Sequence, residues 1–339
     1  MLKKKLWFII SIIVVLFGGG GPLLGEAIGN QNSQSLYKDK IIIGMETWPG
    51  YLPLIVAQDQ GYFKQAGLNV EVKRYVALGE LSKDYIAGKM QGRANLTLDT
   101  VNEYLKGLDH RVILAIDYSN GSDAIIARKG IDTVRDFKDK KVGFEQNTLE
   151  DFFITWALTE SDLKISDVVP VYGGPEDTPK LLQEGKVDVA VSHEPFISKL
   201  ISSGNFHVVY SSAQTPGLIT DVLTFRTDFI KAYPDTVQTI VDVYFQALKF
   251  WKEHPKEAYA IVSKEFNDTP EGIAQQMKGI TMLDERDNQT AFTFAAGFQS
   301  LYGNMRQIGS FVKQHQGVSD QNIDTDKLID RRFIQGKNE

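Results

Sequence analysis

Between Ile41 and Val70 the chain reads as strand, tight loop, helix, glycine stop and strand. Ile41-Ile42-Ile43-Gly44-Met45 is a short apolar run of the kind buried on both faces of a sheet. Trp48-Pro49-Gly50-Tyr51 follows, and Pro49-Gly50 cannot extend the strand. A helix is expected from about Pro53 to Gln65, and Gly67 suits the left-handed position just past its end. Two aromatic side chains therefore stand where a strand hands over to a helix. In open α/β sheets that edge receives ligands.

The same alternation continues twice. Val70 to Tyr75 is a predicted strand, with a helix over 79–87 stopped by Gly88. Ala94 to Leu98 is a strand, followed by a helix capped by Asp99 or Thr100. Arg111 to Asp117 is a buried strand and Tyr118 to Ser122 a turn. Asp123 to Arg128 then leads into a second series, with strands at Lys141–Glu145, Val168–Tyr172, Val187–Ser192 and Val208–Ser211. Its helices start at Asn147 or Thr148, Thr178 and Glu194. After a returning strand, Asp221 to Phe225, the chain is nearly all helical. Val237, Ile240, Val241, Tyr244, Phe245, Leu248 and Trp251 form one apolar helix face, and further helices are expected over 256–266 and 290–308. Trp156, Trp251 and the Phe292/Phe294/Phe298 set have helical core spacing. An outgoing and a returning strand between two α/β series predict two lobes on a hinge of paired crossovers. A single doubly wound sheet would need an excessive strand count.

At 339 residues the chain has room for two such lobes. A net charge of −6 with no basic stripe argues against nucleic-acid binding. There is no cysteine, which excludes disulfides, thiolate metal sites and cysteine nucleophiles. The five histidines are scattered, so neither a metal nor a cofactor is expected. Lys3-Lys4-Lys5 precedes an apolar run from Leu6 to Phe17, which as a helix spans roughly 18 Å against a hydrocarbon core of about 30 Å. Gly25-Glu26-Ala27 gives small residues at signal-peptidase spacing. Residues 1–27 read as a signal peptide, or alternatively as an uncleaved anchor, and 28–38 as a disordered leader.

Several segments carry a family resemblance. Beyond the aromatic loop they are Leu96-Thr97-Leu98-Asp99-Thr100, the stretch Asp117-Tyr118-Ser119-Asn120-Gly121-Ser122-Asp123, Lys141-Val142-Gly143 with Asn147-Thr148, and Gly185-Lys186-Val187-Asp188-Val189-Ala190 with Glu194-Pro195. In this order and spacing the chain resembles the solute-binding proteins of ABC importers in the nitrate/taurine/sulfonate/thiamine-precursor group (NMT1/THI5-like, SsuA-like). The resemblance implies a type II periplasmic-binding-protein fold. Lobe 1 would comprise 39–122 and a mostly helical 225–339, and lobe 2 would comprise 123–224. It also implies a periplasmic monomer that traps a small solute and delivers it to the transmembrane subunits of a permease driven by a cytoplasmic ATPase. Enzymes share such folds, among them pyrimidine-synthesising relatives and porphobilinogen deaminase, but both resemblances imply cysteine chemistry. No catalytic residue is expected here. A ligand sensor without transport is a further alternative.

By position the ligand should meet Trp48, Tyr51, Thr97, Asp99, Thr100, Tyr118, Ser119, Asp123, Glu145, Asn147, Thr148, His193 and Glu194, with Glu46, Thr47, Asp117 and Asp221 also at strand tips. No lysine or arginine is expected among them. Carboxylates beside aromatic rings suit a small organic cation or N-heterocycle. Helix starts at Thr100 and Thr148 offer an anion only about 1 kcal/mol, although nitrate, sulfonate or bicarbonate is the alternative. Each residue also has a purely structural reading: Asp99 as an N-cap, Glu194 as a helix-dipole partner, Asp117 and Asp123 as ties of the crossover turn.

Overall fold

The computed structural model of the chain describes residues 36–75, 78–316 and 323–335; the expected signal peptide and most of the leader lie outside them. Eleven strands occur among the described residues: β1 (Ile41–Met45), β2 (Val70–Arg74), β3 (Gly92–Leu96), β4 (His110–Ser119), β5 (Asp123–Arg128), β6 (Lys141–Phe144), β7 (Val169–Tyr172), β8 (Val189–His193), β9 (Phe206–Ser211), β10 (Thr220–Arg226) and β11 (Ile280–Met282). They form two sheets. The first has the order β11-β4-β10-β3-β1-β2 and the second β7-β6-β8-β5-β9.

In the first sheet β1 runs parallel to β2 and β3, while β10 lies antiparallel between β3 and β4. In the second, β6 is parallel to β7 and β8, and β5 pairs antiparallel with β8 and β9. The strands buried on both faces are the continuous apolar runs, such as Val112 to Ile116 in β4, all wholly buried. Two short links join the sheets, residues 120–122 from β4 to β5 and residues 212–219 from β9 to β10. They are tied together: the Ser212 hydroxyl lies 2.7 Å from that of Ser119 and accepts the Gly121 N–H at 2.7 Å.

Helices α1 (Leu52–Asp59), α2 (Tyr62–Gln65), α3 (Leu78–Ile86) and α4 (Thr97–Leu105) connect the strands of the first sheet. Helices α5 (Leu149–Glu160), α6 (Thr178–Gln183) and α7 (Phe196–Ile201) do so in the second. The remainder is α8 (Thr227–Ala232), α9 (Pro234–Glu253), α10 (Pro255–Phe266), α11 (Pro270–Gln276), α12 (Glu285–Ala291), α13 (Leu301–Gln316), α14 (Thr325–Leu328) and α15 (Arg332–Gln335). The apolar stripe of α9 from Val237 to Leu248 packs against α1, which returns the helical C-terminal half to the first sheet.

The structure differs from the sequence reading in four places. The helix expected over 53–65 breaks at Gly61, whose φ of 70° is left-handed, giving α1 and α2. The helix expected over 290–308 is instead α12 and α13, separated by residues 292–300. That break splits the phenylalanine set: Phe292 is buried, Phe298 packs edge-on at 4.8 Å against Trp156, and Phe294 is 67% exposed. β11 is an unforeseen edge strand. Residues 36–38, expected in a leader, are docked, because the Tyr37 N–H donates to Thr236 Oγ1 at 2.8 Å and its ring meets Phe229 and Tyr233.

Asn288 of α12 clamps the centre of β4. Its Oδ1 accepts the Ala115 N–H at 2.9 Å and its Nδ2 donates to the Ala115 carbonyl at 2.9 Å, in a wholly buried position. Asn288→Ala leaves both backbone groups without partners. We expect it to cost about 3 kcal/mol of stability, read as a lowered midpoint in urea unfolding with an unchanged slope.

Candidate functional site

At the carboxyl end of β1 the chain turns through Glu46, Thr47 and Trp48 into the tight turn Pro49–Tyr51. Trp48 is held by its indole N–H, which lies 3.3 Å from each carboxylate oxygen of Asp117. Tyr51 donates its hydroxyl to Asp221. Asp117 and Asp221 are themselves register partners on β4 and β10, buried to 0% and 2% exposure. Gly50 is required by this arrangement, since a Cβ there would strike the Asp117 carboxylate and the Trp48 indole nitrogen.

A cavity of about 670 Å³ opens beside this cluster, within the range of small-molecule sites. Elements of the first sheet supply Glu46, Thr47 and Trp48, then Gly79, Ser82 and Ile86 of α3, Leu96, Asp99, Asn102, Glu103 and Lys106 on and around α4, and Ile219 and Asp221 at the start of β10. Elements of the second sheet supply Asp123, Glu145 to Glu150 without Gln146, Pro175 and His193. The cavity thus lies between the two sheets at their strand tips, as the βα geometry requires.

Seven carboxyl side chains line it: Glu46, Asp99, Glu103, Asp123, Glu145, Glu150 and Asp221. Among the described residues only Glu103 has an ion-pair partner, Arg93, whose Nη1 lies 3.0 Å from Oε1. Arg93 is wholly buried behind the wall, over the Tyr85 ring, and also donates to Ser82. Burial pushes the Glu46 carboxyl up to about 7, with Asp99 adding to the rise. Burial likewise raises Glu103 to about 7 and Asp117 to about 8. Asp99, Asp123, Glu145, Glu150 and Asp221 move the same way, again chiefly by burial. His193 stands opposite Asp123 in the β5–β8 register, its Nδ1 lying 2.8 Å from the Glu194 carbonyl. That contact puts the proton of the neutral ring on Nδ1 and leaves Nε2 an acceptor.

Of the thirteen residues expected to meet the ligand, seven line the cavity, Trp48, Asp99, Asp123, Glu145, Asn147, Thr148 and His193, as do the strand-tip residues Glu46, Thr47 and Asp221. Six do not. Tyr51 is wholly buried beneath it, acting on Asp221. Thr97 and Thr100 are buried in the first turns of α4, where Thr100 Oγ1 donates to the Leu96 carbonyl at 3.1 Å and accepts from Asn95 at 2.8 Å. Ser119 serves the inter-sheet link. Tyr118 lines a separate cavity of about 120 Å³ with Phe298 and Leu301. Glu194 accepts from the N–H and hydroxyl of Ser198 at 3.1 and 2.7 Å, the structural role weighed for it. Asp99 is no N-cap, because α4 already begins at Thr97 after Leu96.

Sequence reasoning missed Asn102, Glu103 and Lys106, and Lys106 corrects the expectation that no basic residue lines the site. Their signal was the helical spacing from Asp99 at i+3, i+4 and i+7, legible once α4 is known to present that face. Glu150 was missed as well. It is placed by Thr148, whose hydroxyl lies 2.7 Å from Oε2.

The profile of the family described as NMT1/THI5 like matches residues 48–258, well over half of the chain. The chain belongs to the NMT1/THI5-like family. A relative from Bacillus subtilis (strain 168), named as an aliphatic sulfonates-binding protein, is 23% identical over 340 aligned positions, covering 98% of this chain and 96% of the relative. The crystal structure of the periplasmic aliphatic sulphonate binding protein SsuA from Escherichia coli superposes with a TM-score of 0.72 at 16% identity, over 87% of this chain and 99% of that one. The fold is therefore the periplasmic-binding-protein fold of two α/β lobes. A mutant of the desulfurization enzyme DSZB, in complex with biphenyl-2-sulfinic acid, shares the fold at a TM-score of 0.64 and 14% identity, over 88% and 98% of the two chains. Family membership accounts for the order of the segments along the chain, whereas the seven-carboxylate lining is read from this sequence and its packing.

Unfolded, Glu46 and Asp117 titrate near 4.5 and 3.8; folded, they hold their protons to about 7 and about 8. Over that window the folded chain binds more protons than the unfolded one, so stability falls as pH rises. The ligand-free protein should therefore melt at higher temperature at pH 5.5 than at pH 8. Glu46→Gln and Asp117→Asn should each flatten the dependence. A melting temperature that climbs across this range would contradict the assignment.

Proposed function

We propose that this chain is the extracytoplasmic solute-binding component of an ABC importer, and that it captures a small organic cation or N-heterocycle between its lobes. The observation that carries the reading is the inter-sheet cavity with seven carboxyl groups, one lysine and the anchored indole of Trp48. A cation placed there gains charge-assisted hydrogen bonds from carboxylates and about 0.5–2 kcal/mol from an aromatic face. It would also draw the Glu46 and Asp99 carboxyls into their ionised forms, offsetting their desolvation.

In this reading β1–β4 with α1–α4, β10, β11 and α8–α15 form one lobe and β5–β9 with α5–α7 the other. The boundary falls after 219 rather than at the expected 224, because β10 lies in the first sheet, and the links at 120–122 and 212–219 are the hinge. The N-terminal segment exports the chain to the periplasm, where it acts as a monomer and passes its solute to the permease subunits. It is read as a binder and no enzyme: the Bacillus subtilis and Escherichia coli relatives are named for binding, and the chain carries no cysteine nucleophile. Among the described residues no helix is long and apolar enough to cross a membrane.

A sulfonate or other small anion is the second reading, favoured by the names of the relatives. Lys106 on the lining and Arg93 behind Glu103 are the groups it would use. Against it stands the acidic lining, where each ionised carboxylate repels an anion through a poorly screened medium.

A thermal-shift screen of the purified protein against amines, guanidines, pyrimidines, nitrate, sulfonates and bicarbonate separates the readings. Cations and N-heterocycles should raise the melting temperature; stabilisation by anions alone would retire the cation reading, and turnover of any hit would retire the binder. Trp48→Ala should weaken binding of a hit by up to about 30-fold while leaving the lobes folded. Unchanged affinity would remove Trp48 from the site.

A further inference from the structure

One face of α4 confronts the cavity with oxygen atoms that lack a hydrogen-bond donor among the described residues. Asp99, Asn102 and Glu103 all line the cavity. Asp99 Oδ2, Asn102 Oδ1 and Glu103 Oε2 are each buried without a hydrogen-bond partner among the described residues. The Glu103 side chain is only 7% exposed, and Arg93 serves its other oxygen, Oε1. Glu103 Oε2 does lie 4.0 Å from His110 Nδ1. His110 Nε2, however, contacts the Thr100 carbonyl at 3.1 Å, which fixes the proton of the neutral ring on Nε2. Nδ1 then carries a lone pair, and burial keeps the ring neutral by holding it down to about 4. No donor comes from that side.

Buried acceptors are nearly always paired in folded proteins, and three orphans on one helix face call for an outside donor. Positions i, i+3 and i+4 of a helix are neighbours about 5–6 Å apart, a spread that one head group bearing several N–H bonds can cover. We propose that this row seats the N–H donors of the solute. The cleft then selects a nitrogen cation with at least two N–H groups, a primary ammonium, an amidinium or a guanidinium, over a quaternary ammonium of equal charge. This rests on the cation reading above and adds to it: charge alone would be satisfied by either kind of cation, the orphaned oxygens by only one. Asn102 and Glu103, at positions the sequence did not single out, become the residues that set this specificity.

Four ligands with one alkyl chain test it by titration calorimetry on the purified protein: n-butylguanidinium, n-butylammonium, n-butyltrimethylammonium and n-butanesulfonate. The first two should bind at least about 10-fold tighter than the trimethyl compound. Asn102→Ala, which removes an acceptor and no charge, should lower the butylguanidinium affinity by about 5–10-fold and leave the butyltrimethylammonium affinity within about 2-fold. Asp99→Ala should weaken both cations, and thermal unfolding checks that each variant is folded. Equal or tighter binding of the trimethyl compound overturns the donor row and leaves the cation reading standing. Binding of butanesulfonate with no binding of any cation overturns both. Failure of both N–H cations to bind at millimolar concentration overturns the donor row as well.

Discussion

Two buried carboxyl groups face each other across the β4–β10 pairing with no basic side chain among the described residues to pair with them, and the cleft is arranged around them. Asp117 takes the indole N–H of Trp48 and Asp221 the hydroxyl of Tyr51, so the tight turn after β1 is fixed to the two strands that lead toward the second sheet. Burial raises the pKa of both carboxyls, and the charge of Asp117 adds to the rise of Asp221; the neutral Trp48 and Tyr51 donors pull the other way without cancelling it. The same contacts settle where Trp48 points and why only glycine fits at position 50.

Around that centre the molecule has two kinds of connection. The links beside Ser119 and Ser212 are short and tied to each other through hydroxyl contacts. Behind them the packing is aromatic: Phe152 meets Phe311 at 5.0 Å and Trp156 meets Phe298 at 4.8 Å, joining α5 to α13 and to the segment before it. Helix α13 also packs along α4. The helices that carry Glu150 and the Asp99–Glu103 face thus both pack on α13.

Much of the fold was legible in the sequence because its signals are local. Apolar runs bounded by Gly67, Gly88, Gly107 and Gly185 mark strands and helix ends, and all four glycines have positive φ in the structure. The misreadings came where local and tertiary demands diverge. Phe292, Phe294 and Phe298 look like one helix face, but the chain leaves the helix after Ala291 so that Phe298 can reach Trp156. Among site residues, Trp48, Asp123 and Thr148 were found because they stand at strand ends or helix starts. Thr97, Thr100 and Ser119 share that position in the sequence and yet are buried, Thr100 donating to the Leu96 carbonyl and Ser119 meeting the Ser212 hydroxyl.

The sequence by itself determined the order of elements, the two α/β series and the acidic, cysteine-free chemistry at their tips, because each follows from periodicity, turn residues and composition. Only the tertiary structure decided which side chains meet. It set Asp117 against Asp221, turned Asn102 and Glu103 of α4 toward the cavity, and hid Arg93 behind Glu103. Such pairings join residues far apart in the chain, and the burial they create, which no local pattern encodes, is the main cause of the raised carboxyl pKa values.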